Sequence, residues 1–241
     1  MSKFKKAVLG WLGEKFCQPA RIVSIKVVSE HFRLIHIESP SFSKMKWKAG
    51  DKIQINTGDW DVRTYTPIAH DSTLAQIQLL VFVHGNGPGA FWAKNLKKGD
   101  LCDVFGPSSS LSLRESEMPQ VLFGDETSFA VAAAFKNFYG SAADLSWIFE
   151  VNSVEESKHV CEQIGILQNA TFVEKQSTTE HLAEVLKKLR SRLDVARHTD
   201  LFLTGNAKSI QWIRNQIREL NHANTRTVMK AYWSKGKVGM D

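Results

Sequence analysis

Cysteine is scarce in this chain. Cys17, Cys102 and Cys161 are the three it has, they lie far apart, and none forms a C-x-x-C pair. That excludes a disulfide framework and offers no cysteine set for zinc or an iron-sulfur cluster. A reducing cytoplasm fits this usage. The eight histidines form no H-x-x-x-H or H-x-H, so no protein-bound metal is expected. Hydrophobic runs long enough to cross a membrane as a helix are missing, as are internal repeats and low-complexity tracts. Arginine-rich tracts are missing too, and although the net charge of +6 attracts anions at long range, no nucleic-acid module is signalled.

What the chain does have is ordinary for a globular protein. It is 43% hydrophobic and 23% charged over 241 residues, enough for one large domain or two modest ones. The N-terminal "MSKFKKAVLGWLGEKF" is basic, but its apolar stretch is brief, is interrupted by Gly10 and Gly13, and lacks a small-residue cleavage site. It reads as a helix packed on the protein or a loosely held terminus, with a membrane-surface helix as the alternative.

Hydrophobic periodicity divides the rest in two. "RIVSIKVVSEHFRLIHIES" alternates with period two on either side of a polar break and predicts two antiparallel strands. "GDKIQIN", "DVRTYTPI", "AQIQLLVFV" and "GDLCDVFGP" add four more, separated by turn residues, which points to an antiparallel β-barrel. Beyond the polar "RESEMPQ" the period changes. "QVLFGDE", "LSWIFEV" and "DLFLTG" read as strands; "TSFAVAAAFKNFYG", "TTEHLAEVLKKLRSRL" and "AKSIQWIRNQIREL" read as helices, the first with Thr127 as N-cap and Gly140 as stop. Alternating strands and helices imply a parallel sheet. The expected organisation is therefore a barrel domain over 1–117 and a parallel α/β domain over 118–241.

Three stretches bear chemistry. In "RTYTP" an extended backbone puts Arg63 and Tyr65 on one face, and Pro67 predicts the end of the strand, which leaves the Thr66 hydroxyl free to meet a ligand. A ring system with a phosphate suits that surface, and so does plain solvent exposure. In "HGNGPGAFWA" Gly85, Gly87 and Gly89 precede a helix whose N–H groups can face a diphosphate; a simple chain reversal is the competing reading. In "FGDETSF" only Gly124 stands where a dinucleotide fold carries its glycine fingerprint, while Asp125 and Glu126 would repel phosphate. The acids could cap the helix and aim Thr127 at a nicotinamide. Glu150 ends the next strand, where a carboxylate accepts hydrogen bonds from a ribose 2′-OH, which favours NADH over NADPH; a solvated glutamate fits the position equally.

These stretches in this order, with "FGPSSS" and "AYWSKG", resemble the siderophore-interacting proteins of the ferredoxin-NADP reductase superfamily over nearly the whole chain. The resemblance implies a flavin-binding barrel, an NAD(P)H-binding α/β domain and an FAD between them. It places Arg63, Tyr65 and Thr66 at the isoalloxazine and phosphates, and His84, Gly87, Gly89, Ala90 and Trp92 in the diphosphate loop. Asp125, Glu126 and Thr127 go to the nicotinamide side and Trp233 near the ring, with Tyr65, Thr66 and Thr127 as the expected catalytic positions.

It further implies a cytoplasmic enzyme of iron assimilation, in which reduced nicotinamide passes hydride to the flavin and single electrons reach the Fe(III) of a hydroxamate or catecholate siderophore. Lys44, Lys46, Lys48, Lys230, Lys235 and Lys237 are candidates for a basic rim that attracts an anionic chelate. Departures from the family pattern are Ala90 where a serine is usual, the missing proline in "GDETSFAV", and "AYWSKG" followed by only a few residues. The last two leave room for ferredoxin as the donor, and a siderophore-binding protein without turnover is the non-enzymatic alternative.

Overall fold

A computed structural model describes residues 17–58, 61–111, 113–195, 198–219 and 225–236. The expectations for the N-terminal stretch 1–16 and for Lys237 lie outside these residues. The chain divides between Ser112 and Leu113 into two compact units. This is five residues before the expected boundary, because the connecting segment is already bonded within the second unit. Arg114 is 3.3 Å from the buried carboxylate of Asp200, and its carbonyl accepts the Tyr139 hydroxyl at 3.0 Å.

The first unit has strands β1 (Cys17–Val27), β2 (Phe32–Glu38), β3 (Lys52–Asn56), β4 (Val62–Tyr65), β5 (Pro67–Asp71), β6 (Gln76–Phe82) and β7 (Leu101–Ser108), with helix α1 (Pro88–Asn95) between the last two. All neighbours are antiparallel, in the order β4-β3-β7-β1-β2-β6-β5. β4 and β5 are the two edges of this sheet, yet Thr66 alone joins them in the chain. The sheet is therefore closed on itself as a barrel, with Thr66 at the seam.

One predicted strand, "DVRTYTPI", is thus two. Pro67 opens β5 opposite Leu79 instead of ending β4, a place where a missing N–H costs little because it is the first residue of the strand. Period-two side chains fill the interior: Ile35 and Ile37, Ile53 and Ile55, and Ile77, Leu79 and Val81 are all buried. In β1 an irregularity between Ile22 and Ser24 turns Ile25 onto the same side as Ile22, against the simple alternation expected.

The second unit is a parallel sheet of β8 (Gln120–Gly124), β9 (Leu145–Val151), β10 (Ala170–Glu174), β11 (Thr199–Asn206) and β12 (Thr225–Trp233), in the order β10-β9-β8-β11-β12. Its helices are α2 (Phe129–Tyr139), α3 (Val154–Gln163), α4 (His181–Leu193) and α5 (Ala207–Glu219). α2 is apolar nearly all round and correspondingly buried. α4 and α5 bury one stripe each, Leu182, Val185, Leu186 and Leu189 on one and Ile210, Ile213 and Ile217 on the other.

The sequence reading passed over α3, whose apolar residues are too few for a clear period, and β10, a five-residue edge strand. The strand order reverses between β8 and β11. In sheets of this type that switch point, at the carboxyl ends of the strands, is where ligands bind.

Candidate functional site

In the first unit the feature to explain is how α1 approaches β4. A Cβ on Gly89 would lie 3.2 Å from both Arg63 Cγ and the Tyr65 hydroxyl oxygen. The two side chains therefore do share one face, and glycine is what lets the start of α1 rest on them. Trp92, three residues further along the helix, sets its ring 5.9 Å from that of Tyr65 at 33°.

Gly87 is the N-cap of α1 and Pro88 its first residue, with no side chain capping the end. Free N–H groups at a helix N-terminus form an anion site, and Arg63 stands beside it. The guanidinium uses Nη1 to bond Asp61 Oδ1 and the Val62 carbonyl, each at 2.9 Å, and has further N–H donors to offer. Burial pushes the Tyr65 phenol above its ordinary value, against an opposing pull from Arg63, so it remains a neutral hydrogen-bonding group.

Around this cradle the other predicted residues take distinct places. His84 is exposed at the mouth of the glycine loop and stacks on Phe82 at 4.9 Å. Ala90 packs its side chain into the barrel core, so only its backbone can serve a ligand. Lys44, Lys46 and Lys48 are exposed, whereas the intervening Met45 and Trp47 are half-buried.

In the second unit the "GDETS" turn lies at the switch point. Gly124 is obligatory, since a Cβ would overlap the Ser128 side chain and lie 2.8 Å from Thr204 Oγ1. Asp125, with 0% exposure, accepts the Thr127 N–H at 2.9 Å, the Thr127 hydroxyl at 2.5 Å and the Trp233 indole N–H at 2.6 Å. Gly205 has φ of +95°, and a Cβ there would lie 2.7 Å from the Asp125 carboxyl carbon.

Thr127 is thus not the N-cap of α2. Asp125 caps a short 3-10 turn, Glu126–Ser128, which leads into the helix. Of the acids expected to repel phosphate, Asp125 is consumed by these bonds. Glu126 takes the Asn152 N–H at 2.6 Å and the Lys175 ammonium at 2.5 Å.

Glu150 does not reach solvent where a ribose could find it. It is 2% exposed, 3.0 Å from His181 Nε2, and hydrogen-bonded to Ser209. Burial pushes its carboxyl above the ordinary carboxylate range, and the bonds from Ser209 and His181 pull it partly back. Trp233 is anchored to Asp125 by its indole. Lys230 is half-buried on β12 and Lys235 is exposed just beyond it.

Lys175, Asn152, His181, Ser209 and Gly205 escaped sequence reasoning. Lys175 is signalled only by its place after β10, a strand the periodicity did not reveal. The others become visible only once strand order brings their partners to one edge. Among the described residues no three His, Cys, Asp or Glu side chains converge as a metal site, and no helix is long and apolar enough to cross a membrane.

Comparison with known proteins agrees with this geometry. The sequence profile of the siderophore-interacting FAD-binding domain matches residues 57–111, which include Arg63, Tyr65 and Gly89, and that of the siderophore-interacting protein matches residues 118–236. No curated protein matches by sequence.

Among solved structures, the siderophore-interacting protein SipS from Aeromonas hydrophila is similar with TM-score 0.72 at 19% identity, over 92% of this chain and 93% of its own. A siderophore utilization protein from T. fusca gives 0.72 at 18% identity, over 93% and 95%. The ferredoxin-NADP+ reductase of Plasmodium falciparum gives 0.65 at 12% identity, over 90% and 97%. Matches to both family models, one over the barrel unit that holds Arg63, Tyr65 and Gly89 and one over the parallel unit with "GDETS" at its switch point, place the chain in the siderophore-interacting protein family, whose first domain is an FAD-binding one.

Proposed function

We propose that this protein is a cytoplasmic, FAD-dependent reductase of ferric siderophores that takes its electrons from NAD(P)H. The observation that carries the reading is the cradle in which Gly89 lets an uncapped helix N-terminus sit on Arg63 and Tyr65. These residues fit FAD: the N–H groups of Gly87, Gly89 and Ala90 and the Arg63 guanidinium suit its diphosphate, and the Tyr65 and Trp92 rings suit its flat ring system. When bound, the flavin supplies the conversion of a hydride pair into single electrons, which a nicotinamide cannot make directly for Fe(III).

The protein's own part is to hold and to orient. Tyr65 stays protonated and donates or accepts a hydrogen bond without taking up charge, and Thr66 at the barrel seam would bring a hydroxyl to the edge of the ring system. Thr127, held by Asp125, is a polar group at the switch point where a nicotinamide nucleotide would lie. Lys44, Lys46 and Lys48 on the first unit, and Lys230 and Lys235 on the second, give a field that draws in anionic chelates. Reduction to Fe(II) weakens the hold of hard oxygen ligands, so the metal leaves without any protein ligand. The three free cysteines accord with a reducing compartment.

The test is spectroscopic. The purified protein should show oxidised-flavin absorption that bleaches anaerobically with NADH or NADPH and returns when a ferric hydroxamate or catecholate is added, as a ferrous trap develops colour. Absence of flavin after reconstitution overturns the reading. Bleaching by reduced ferredoxin alone replaces the donor.

A further inference from the structure

We propose that the donor's adenosine carries no 2′-phosphate, so that the second unit selects NADH over NADPH; this rests on the reading that a nicotinamide nucleotide is the donor. In a doubly wound parallel sheet the adenosine ribose is read at the carboxyl end of the second strand, by an acid that accepts from the 2′-OH or by an arginine that takes the 2′-phosphate. Here that strand is β9, and the expected acid, Glu150, is turned inward. Selection falls to the segments just after β9 and its neighbour β10.

The two strand ends are tied together, since the Lys175 N–H donates to the Val151 carbonyl at 2.7 Å. Residues 152–156 and 175–180 together contain one cation, Lys175, and three acids, Glu155, Glu156 and Glu180. Glu155 and Glu156 lie in the first turn of α3, where they offset the positive end of the helix. The Asn152 N–H is committed to Glu126 Oε1, and the Ser153 hydroxyl accepts the Glu156 N–H at 3.3 Å.

Lys175 is not at a phosphate's disposal. Its ammonium is 2.5 Å from Glu126 Oε2, on a carboxylate with 4% side-chain exposure. Swinging it outward would leave that buried carboxylate without its counter-ion, the costly way to break an ion pair. A 2′-phosphate, with nearly two negative charges, would therefore meet the exposed Glu155 and a lysine already neutralised. A 2′-OH is uncharged and needs only a hydrogen-bonding partner, which the exposed Asn152 side chain provides.

The test separates this inference from the reading beneath it. Calorimetric titration of the full chain with 5′-AMP and with 2′,5′-ADP should show 5′-AMP binding at least about tenfold tighter. Steady-state kcat/KM of the FAD-loaded protein should favour NADH in the same direction. Glu155→Arg, at an exposed position, should shift the 2′,5′-ADP to 5′-AMP ratio toward the phosphate by about tenfold. Glu126→Gln, which releases Lys175, should shift it the same way. Tighter binding of 2′,5′-ADP by the natural sequence, no binding of either adenylate, or a ratio unmoved by Glu155→Arg would each overturn the proposal. The expected adenylate preference without flavin bleaching by either nucleotide would leave the ribose selectivity standing and remove the hydride donor from the proposed function.

Discussion

Replacing Gly89 by alanine is the sharpest test of the flavin cradle, because two opposing effects on stability nearly cancel and leave ligand binding as the readout. The new Cβ would sit 3.2 Å from Arg63 Cγ and from the Tyr65 hydroxyl, so each must retreat by a few tenths of an ångström. Overpacking of this size costs about 1 kcal/mol, the low end for an added methyl group, since both contacts are with side-chain atoms and not backbone. Against this, alanine in place of glycine within a helix gains up to about 1 kcal/mol. The urea midpoint should move by less than the equivalent of about 1 kcal/mol.

FAD affinity has no such offset. Arg63 and Tyr65 are displaced from the helix N-terminus with which they would form the proposed site, and loss of one well-aimed charged hydrogen bond corresponds to roughly tenfold or more in Kd. Flavin fluorescence during titration of the apoprotein measures it. An unchanged Kd beside an unchanged midpoint would show that the cradle holds no flavin. A midpoint loss of several kcal/mol would show that the neighbours cannot yield and that the magnitude above is wrong.

Further outcomes rest on the same geometry. Arg63→Ala should weaken FAD binding by about tenfold to a hundredfold, the worth of hydrogen bonds from a charged group, and flatten its dependence on salt; an unaltered salt slope would place the phosphates elsewhere. Glu150 has a carboxyl raised above its ordinary 4.5 by burial, so its contribution to stability is fully present below that value and is lost as pH rises through the folded value. Glu150→Gln cannot ionise, so its stability relative to the natural sequence should improve as pH climbs from 4.5, and a gap that moves the other way in urea titrations at several pH values would contradict the assigned cause. Trp233→Phe removes one donor from the fully buried Asp125 and should cost about 1–3 kcal/mol in the second unit's unfolding, while a neutral result would mean that water replaces the indole.

Local chemistry accounts for what could be read directly from residues 1–241. Alternating apolar residues in "KIQIN" and "QIQLLVF" and the stripe of Leu182, Val185, Leu186 and Leu189 are short-range patterns, so strands and helices, and with them the barrel and the parallel sheet, arise from neighbours in the chain. The pairing of Arg63 with Tyr65 on one face was legible for the same reason, being a property of two residues two apart in an extended backbone.

Where the barrel closes was not legible. That Thr66 joins opposite edges depends on hydrogen bonds from β3 to β4 and from β5 to β6, between residues the sequence does not mark as partners. Nor was the fate of the acids. Asp125, Glu126 and Glu150 look alike as exposed or capping carboxylates in sequence, and only the order β10-β9-β8-β11-β12 brings Trp233, Lys175 and His181 to them. The sequence by itself determined most of the elements, the change from barrel to parallel sheet and the placing of Arg63 and Tyr65 on one face, because these depend on local backbone preference and side-chain period. The tertiary structure alone decided which charges are spent internally and which remain to meet a ligand, because a charge's availability depends on partners distant in the chain.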